Sequence, residues 1–137
     1  MAKDKYHELV REALIKDGWK ITDDPLRIQI EERTVKIDLG AEKLIAAEKD
    51  EQKIAVEIKS FIGHSVVTDF YLALGQFETY RTALLEFEPD RELYLAIPSN
   101  IYQGFFQEKL ASQTAERANL KLLVYQINTQ SIFTWKK

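Results

Sequence analysis

Apolar residues recur at every second position between residues 26 and 58, and this alternation is the feature that most constrains the fold. The segments 26–30 and 54–58 each carry three apolar residues at alternate positions. Successive side chains of a β-strand point to opposite faces of a sheet, so both segments predict strands with one buried face. Three polar or glycine-containing breaks predict an antiparallel meander in which 53–58 is a central strand: Glu31-Glu32-Arg33, Gly40-Ala41-Glu42 and Lys49-Asp50-Glu51-Gln52.

Helical patterns lie on both sides of this strand region. Residues 4–17 place apolar side chains three and four positions apart, with Gly18 as a stop, and a longer pattern begins at Ser65 or Thr68 and ends before Pro89. The rest of the chain predicts, in order, a strand over 92–97, helical structure over 102–118, and strands over 120–127 and 131–135. This order predicts an α/β (α+β) fold in which helices flank a mixed central β-sheet.

The composition predicts an intracellular protein with a hydrophobic core of its own. A chain of 137 residues, of which 45% are apolar, fits one domain over 1–137. The chain contains no cysteine, and residues 1–5 carry no apolar segment of the signal-peptide type. Its apolar runs are also shorter than a membrane span requires. We therefore expect a cytoplasmic location and no membrane contact.

The net charge of −3 limits how the chain could bind nucleic acid. Neutralising the phosphates of DNA requires clustered lysine and arginine, and this sequence has more acidic than basic residues. Contact with DNA would therefore have to be local, or assisted by a divalent cation, a basic partner or a second copy of the chain. A homodimer would help a chain of this charge to approach a duplex.

Two acids and a lysine form the pattern that carries chemistry. Asp38 ends one strand pattern, and strand alternation places Glu57 and Lys59 on the same face of another. Two carboxylates from neighbouring strands provide ligands for Mg²⁺ or Mn²⁺, and a lysine beside them orients or activates an attacking water. The pattern thus predicts a metal-dependent site for phosphodiester hydrolysis. The alternative, common for any Glu-x-Lys pair, is two solvated residues on the outer face of a half-buried strand.

The surrounding segments extend this pattern into a resemblance to a known family. Residues 36–38 and 56–61 resemble the signature of the PD-(D/E)xK nuclease superfamily, with Ile37 where that signature has proline. Three further segments make the resemblance one to the XisH family across essentially the whole chain: Tyr6-His7-Glu8-Leu9-Val10, Asp17-Gly18-Trp19 and Asp69-Phe70-Tyr71-Leu72-Ala73-Leu74-Gly75-Gln76-Phe77. The resemblance implies a single XisH-like domain with a restriction-endonuclease-like fold.

The same resemblance implies a role in DNA rearrangement. The XisH family is named for controlling excision of the fdxN DNA element in heterocyst-forming cyanobacteria, where a separate site-specific recombinase cuts and rejoins the DNA. For this chain it implies three partners, namely DNA, a companion protein of the XisI type and that recombinase.

Carried over to this chain, the resemblance assigns five site residues. Asp38 and Glu57 become ligands of Mg²⁺ or Mn²⁺, and Lys59 becomes the group that positions water or stabilises charge. Glu8 matches the acidic residue that the first helix supplies in related folds, as a third metal ligand, with Glu12 one turn further on as its substitute. Gln76 matches a polar position near the lysine, and the alternative interpretation of it is a surface glutamine without a role.

Three hypotheses for the function stay open at the level of the sequence. The first is a metal-dependent DNA endonuclease that acts during excision of a DNA element. The second is a non-catalytic module that pairs with an XisI-like protein and regulates a recombinase, since the superfamily includes members that keep the fold without cleavage. The third is a nuclease of a defence or toxin system. Only the first requires metal binding that is lost on Asp38→Ala or Glu57→Ala.

Overall fold

The computed structural model describes residues 4–45 and 50–137. Within these residues the elements are, in chain order, α1 (His7–Lys16), β1 (Lys20–Asp23), β2 (Leu26–Ile30), β3 (Arg33–Ile37), β4 (Leu39–Ile45), β5 (Asp50–Ile58), α2 (Val66–Phe87), β6 (Arg91–Pro98), α3 (Ser99–Gln103), a 3-10 turn (Phe105–Gln107), α4 (Lys109–Arg117), β7 (Leu122–Gln126) and β8 (Ser131–Lys136). No helix in this part of the chain is both long enough and apolar enough to cross a membrane.

Six of the strands form one mixed sheet in the order β1-β4-β5-β6-β7-β8. The pairs β5–β6 and β6–β7 are parallel, and the other neighbours are antiparallel. The long helix α2 connects β5 to β6, because parallel neighbours require a crossover connection. The predicted mixed central sheet with flanking helices is therefore confirmed, and β5 is one of its inner strands, as predicted.

The predicted antiparallel meander is wrong in one respect, because β2 and β3 form a hairpin apart from the central sheet. The chain leaves β3 at Ile37 and enters the central sheet at Leu39, so Asp38 marks the break. The predicted break at Gly40-Ala41-Glu42 lies inside β4 instead. A Cβ at position 40 would come within 2.8 Å of the Asp23 carboxylate, so this glycine permits close packing and does not form a turn.

Two further boundaries differ from the prediction. Residues 50–52, predicted as part of a break, begin β5 because their backbone pairs with residues 43–45 of β4; Lys49 lies outside the described residues. The helical segment predicted over 102–118 is interrupted at Gly104 and becomes α3, the 3-10 turn and α4. The interruption places the ring of Phe106 in the core, where it packs edge-on against Phe61 and Phe70.

Each face of the central sheet has its own hydrophobic core. On one face, Val10 and Leu14 of α1 pack in a cluster that includes Val56 of β5. On the other face, α2, the hairpin and the segment around α4 form a second cluster, in which Phe77 of α2 and Ala55 of β5 take part. Because side chains alternate along a strand, position 57 lies on the same side of the sheet as Ala55, which is the side that α2 covers.

Candidate functional site

Asp38 and Glu57 meet where β4 begins and β5 ends. The register pairs Leu39 with Val56, so Asp38, one residue before β4, lies level with Glu57. The backbone N–H of Ile58 donates a hydrogen bond of 2.8 Å to Asp38 Oδ2, and the N–H of Asp38 donates one of 3.3 Å to Glu57 Oε1. The sequence thus predicted correctly that these two acids come from neighbouring strand ends. The hydrogen bonds fix both carboxyl groups before any ligand binds.

Glu57 is a buried side chain. Only 7% of its surface is exposed, although it occupies the polar position of an otherwise apolar strand. A carboxylate in such a place is costly unless hydrogen bonds or a cation compensate for the lost water. The alternative interpretation of Glu57 as a solvated residue on an outer strand face is therefore wrong.

The two carboxyl groups share one proton. Burial, followed by the charge of Asp38, raises the pKa of Glu57 to about 8. Burial also raises the pKa of Asp38, while a hydrogen bond from Glu57 lowers it. The proton consequently stays on Glu57, which donates it to Asp38, because two carboxylates at this distance in a buried site resist being ionised together. A divalent cation would supply the positive charge that the shared proton now supplies.

Lys59 follows β5 directly and reaches the same pair. Its backbone N–H donates a hydrogen bond of 3.0 Å to the carbonyl of Ala96, which continues the parallel pairing with β6. Its Nζ lies 3.8 Å from Glu57 Oε2, and its side chain is about three-quarters buried. The ammonium charge lowers the pKa of Glu57, but burial and the charge of Asp38 outweigh it. The structure therefore brings Asp38, Glu57 and Lys59 together, as the sequence predicted.

The helix α2 contributes two polar groups to this side of the sheet. Gln76, selected from the sequence, is half-buried, and its Oε1 is inaccessible to water without a hydrogen-bond partner in the described residues. Tyr80, one turn further along the same face, was not predicted. Burial, followed by the charges of Glu57 and Asp38, raises the pKa of Tyr80 to about 12. Its spacing of four residues from Gln76 is the signal that could have identified it.

Glu8 lies in a different group of side chains. It is exposed on α1, and one of its carboxylate oxygens lies within 4.8 Å of ligand atoms of His7 and Asp24. Asp38 and Glu57 form no such group with it in the described chain. Its substitute, Glu12, is also exposed and lies 3.6 Å from Arg11. The assignment of Glu8 as a third metal ligand stays a prediction.

The acid that the N-terminal segment brings to the site is Asp4. Its Oδ2 accepts a hydrogen bond of 3.0 Å from the backbone N–H of Ser60, and its charge raises the pKa of Asp38. The N–H of Tyr6 donates to Asp4 Oδ1 at 2.9 Å, which shapes the turn that precedes α1. Asp4 fixes the start of α1 against the end of β5, and no sequence pattern distinguishes it from a surface aspartate.

The turn after Lys59 has a strained backbone. Phe61 has φ of 57°, a left-handed conformation that a bulky side chain rarely adopts. Its ring is buried and packs edge-on against Phe106 at a centroid distance of 5.8 Å. Such strain persists only where the surrounding packing enforces it, and it is frequent at functional sites. Here it turns the chain sharply, directly after the segment that carries Glu57 and Lys59.

This arrangement of groups fits a divalent cation such as Mg²⁺ or Mn²⁺. Such ions bind carboxylate and carbonyl oxygens, and Asp38, Glu57 and the unpartnered Gln76 Oε1 are oxygen donors of this kind. Within the described residues, Lys59 is the cation that forms an ion pair with the carboxyl pair. Its single charge leaves a site with two ionised carboxylates one positive charge short.

Comparison with known proteins agrees with the sequence resemblance. The family model described as XisH, XisH protein, matches residues 1–133. The crystal structure of an XisH family protein from Nostoc punctiforme PCC 73102 is 41% identical, with a TM-score of 0.89, and the match covers 98% of this chain and 100% of that one. A fdxN element excision controlling factor protein from Anabaena variabilis is 44% identical, with a TM-score of 0.87, over 96% of this chain and 98% of that one. No curated protein matches the chain.

Proposed function

Because the chain belongs to the XisH family, we propose that it takes part in controlling the excision of a DNA element, the role for which its Anabaena variabilis relative is named. We further propose that it does so as a metal-dependent protein with a restriction-endonuclease-like fold, able to hydrolyse a DNA phosphodiester. Asp38 and Glu57 would hold Mg²⁺ or Mn²⁺, and Lys59 would act on the water or the phosphate.

The shared proton of Asp38 and Glu57 is the observation that carries this proposal. A buried pair of acids without a compensating cation destabilises the folded chain. An ion pair that served only stability would pair such acids with a fully engaged arginine or lysine. The pair instead has Lys59 at 3.8 Å and partial contact with solvent. These features suit a site that exchanges its proton for a metal ion.

Each residue of the site would have a distinct part in the reaction. A bound divalent cation supplies Lewis-acid polarisation of the phosphate and lowers the pKa of a coordinated water. The hydrogen bond from the Ile58 N–H keeps Asp38 oriented, so its free oxygen stays directed at the ion site. Lys59 would hold the attacking water or stabilise the charge that develops on the phosphate oxygens. Gln76 Oε1 is an acceptor that could orient the same water.

The proposal is tested by metal titration followed by DNA cleavage. Calorimetry with Mg²⁺ and with Mn²⁺ compares the wild type with Asp38→Asn and Glu57→Gln, and each protein is then incubated with supercoiled and branched DNA. We expect both variants to lose metal binding and to cleave at least about a hundredfold more slowly, as the removal of one charge-stabilising group does in other enzymes. Glu86→Gln, which changes an exposed acid of α2, should behave like the wild type.

The outcome also separates catalysis from regulation. Metal binding and nicking that disappear together in both variants support a working nuclease site. A wild type that binds neither ion and leaves both DNA substrates intact contradicts it. Cleavage that persists at wild-type rate in Asp38→Asn would point to a contaminating nuclease.

A second candidate function is a non-catalytic module that binds an XisI-like protein and regulates a recombinase. The observation in its favour is a group of exposed apolar side chains at the start of α2 and in the preceding loop, comprising Ile62, Val67, Tyr71 and Leu72. Apolar residues clustered on a surface are typical of protein interfaces. In that case Tyr71→Ser would weaken partner binding, Asp38→Asn would leave it unchanged, and Phe133→Ser, exposed on β8, would serve as the control. Light scattering would detect a homodimer formed through the same surface.

A further inference from the structure

His7 is a buried side chain with one nitrogen that has no partner. It is 3% exposed, at the first position of α1. Its Nδ1 is inaccessible to water and makes no hydrogen bond within the described residues. A buried polar atom without a partner costs free energy, so it persists where a function requires it or where a bound ion or water completes it.

The other nitrogen of His7 fixes which atom carries the proton. Nε2 lies 2.7 Å from Asp24 Oδ1, and Asp24 Oδ2 lies 3.2 Å from Nε of Arg11. The arginine favours an ionised Asp24, and an ionised carboxylate can only accept hydrogen bonds. The proton of a neutral His7 ring is therefore on Nε2, and Nδ1 carries a lone pair. A carboxylate that orients a histidine in this way is the usual second partner of a metal-bound imidazole.

The residues around Nε2 are themselves poor hosts for a cation. Ligand atoms of His7, Glu8 and Asp24 lie within 4.8 Å of one another. However, the contact between Nε2 and Asp24 already uses one pair of these atoms, and the guanidinium of Arg11 lies against the other oxygen of Asp24. A cation would have to break the first contact and lie beside a fixed positive charge. Asp24 is better explained as the group that orients the ring.

His7 lies close to the carboxyl pair. The N–H of His7 donates a hydrogen bond of 3.0 Å to the carbonyl of Asp4, and the side chain of Asp4 is held by the N–H of Ser60. Ser60 follows two residues after Ile58, whose N–H binds Asp38. These contacts attach the start of α1 to the strand end that carries the site. The charge of a protonated His7 would also lower the pKa of Asp38, which places the two side chains within electrostatic reach.

We propose that His7 supplies, through the lone pair of Nδ1, an imidazole ligand to the divalent cation held by Asp38 and Glu57. The inference rests on the proposed function, because it concerns the same cation. It assigns to His7 the place on α1 that the sequence resemblance gives to Glu8. It also specifies the metal, since Mg²⁺ takes oxygen ligands, whereas first-row transition ions accept an imidazole nitrogen as well. The site should therefore bind Mn²⁺ more tightly than Mg²⁺.

Pulsed electron paramagnetic resonance of bound Mn²⁺ tests this ligand directly. The chain has two histidines, His7 and His64, so labelling with ¹⁵N-histidine restricts any nitrogen coupling to these two rings. We expect a ¹⁵N coupling to Mn²⁺ in the wild type and in His64→Gln, whose histidine is exposed. In His7→Gln, which keeps an N–H donor for Asp24 and removes the lone pair of Nδ1, the coupling should disappear.

Calorimetry on the same proteins gives a second measure. His7→Gln should lower the affinity for Mn²⁺ by about 10- to 100-fold, the range found when the support of a metal ligand is removed, and leave that for Mg²⁺ nearly unchanged. Mn²⁺ bound to the wild type without any histidine coupling overturns the role of His7 and leaves the proposed function in place. A wild type that binds neither ion overturns both. The spectrum of the wild type decides the question even if the variant fails to fold.

Discussion

Two clusters of buried charge lie at opposite ends of β5 and β6, and they differ in how their charges are balanced. At the start of β6, Arg91 is 8% exposed, and its Nη1 donates a hydrogen bond of 2.9 Å to the carbonyl of Ile54. Its guanidinium lies 3.0 Å from Glu88, 3.9 Å from Asp23 and 4.0 Å from Glu42. At the other end, Glu57 is similarly buried, and its cation is a lysine at 3.8 Å.

The difference separates a structural cluster from a functional one. Arg91 is in contact with three carboxylates and a backbone carbonyl, so the chain itself completes the arginine cluster, and nothing in it calls for a ligand. In the carboxyl pair, burial leaves one proton shared between two acids, and Gln76 Oε1 has no partner in the described residues. Perturbed acids of this kind, held beside unsatisfied donors and acceptors, characterise sites that bind something.

Removing Arg91 should have the largest effect on stability. Arg91→Met would leave three carboxylates facing one another, and we expect it to lower the free energy of unfolding by about 3 kcal/mol. This is the lower end of the range for buried ion pairs, because Asp23, Glu42 and Glu88 keep partial contact with water. Urea unfolding measures the loss. Arg27→Met, on the exposed side of β2, is the matched control and should change little. An equal loss in both would contradict a specific role for Arg91.

A bound metal should stabilise the other cluster by a similar amount. At about 100 times its Kd, a ligand that binds only the folded state adds about 2.7 kcal/mol. We therefore expect Mn²⁺ or Mg²⁺ to raise the melting temperature of the wild type and of Arg27→Met, and to leave that of Glu57→Gln unchanged. Stabilisation of Glu57→Gln by the same ions would show that they bind elsewhere.

The fold could be predicted from the sequence wherever a periodic pattern decided it. The alternation in β5 and the capped pattern of α2 were read correctly, including Ser65 as the helix cap, whose hydroxyl accepts from the N–H of Thr68. The prediction failed where tertiary packing overrides a local signal. Gly40 looks like a turn residue, but its lack of a Cβ allows Asp23 and Arg91 to approach β4. Nothing in the local sequence could reveal that contact.

The site was predictable to the same extent. Asp38, Glu57 and Lys59 lie at strand ends and follow from strand alternation, so the sequence identified them together. Asp4 and His7 reach the site through the way the start of α1 packs against β5, which depends on residues distant in the sequence. His7 was dismissed for lack of a partner at metal-ligand spacing, but its partner Asp24 follows it by 17 positions.

The pH dependence of stability should distinguish the two clusters next. Glu57 has a pKa of about 8 in the folded chain and an ordinary value of 4.5 when unfolded. Between these values the folded state holds the proton more tightly, so metal-free stability should fall as pH rises, by up to about 1.4 kcal/mol per unit. It should level off above about pH 8. Urea unfolding from pH 5 to 9 measures the slope, which should be smaller in Glu57→Gln. An equal slope in both proteins would contradict the assignment.

Lys59→Met should have the smallest effect on stability and so sharpens the comparison most. The ion pair is long at 3.8 Å and its lysine is partly exposed, so we expect the free energy of unfolding to change by less than about 1 kcal/mol. Unlike Arg91, Lys59 would then be a cation that the fold can lose. Its removal should nevertheless slow the nicking of supercoiled DNA at saturating metal, because the group that positions water or stabilises the phosphate is gone. Calorimetry on the same variant should find metal binding retained. A large loss of stability would instead make Lys59 a second Arg91, a structural counter-ion whose charge the buried acid pair requires to fold.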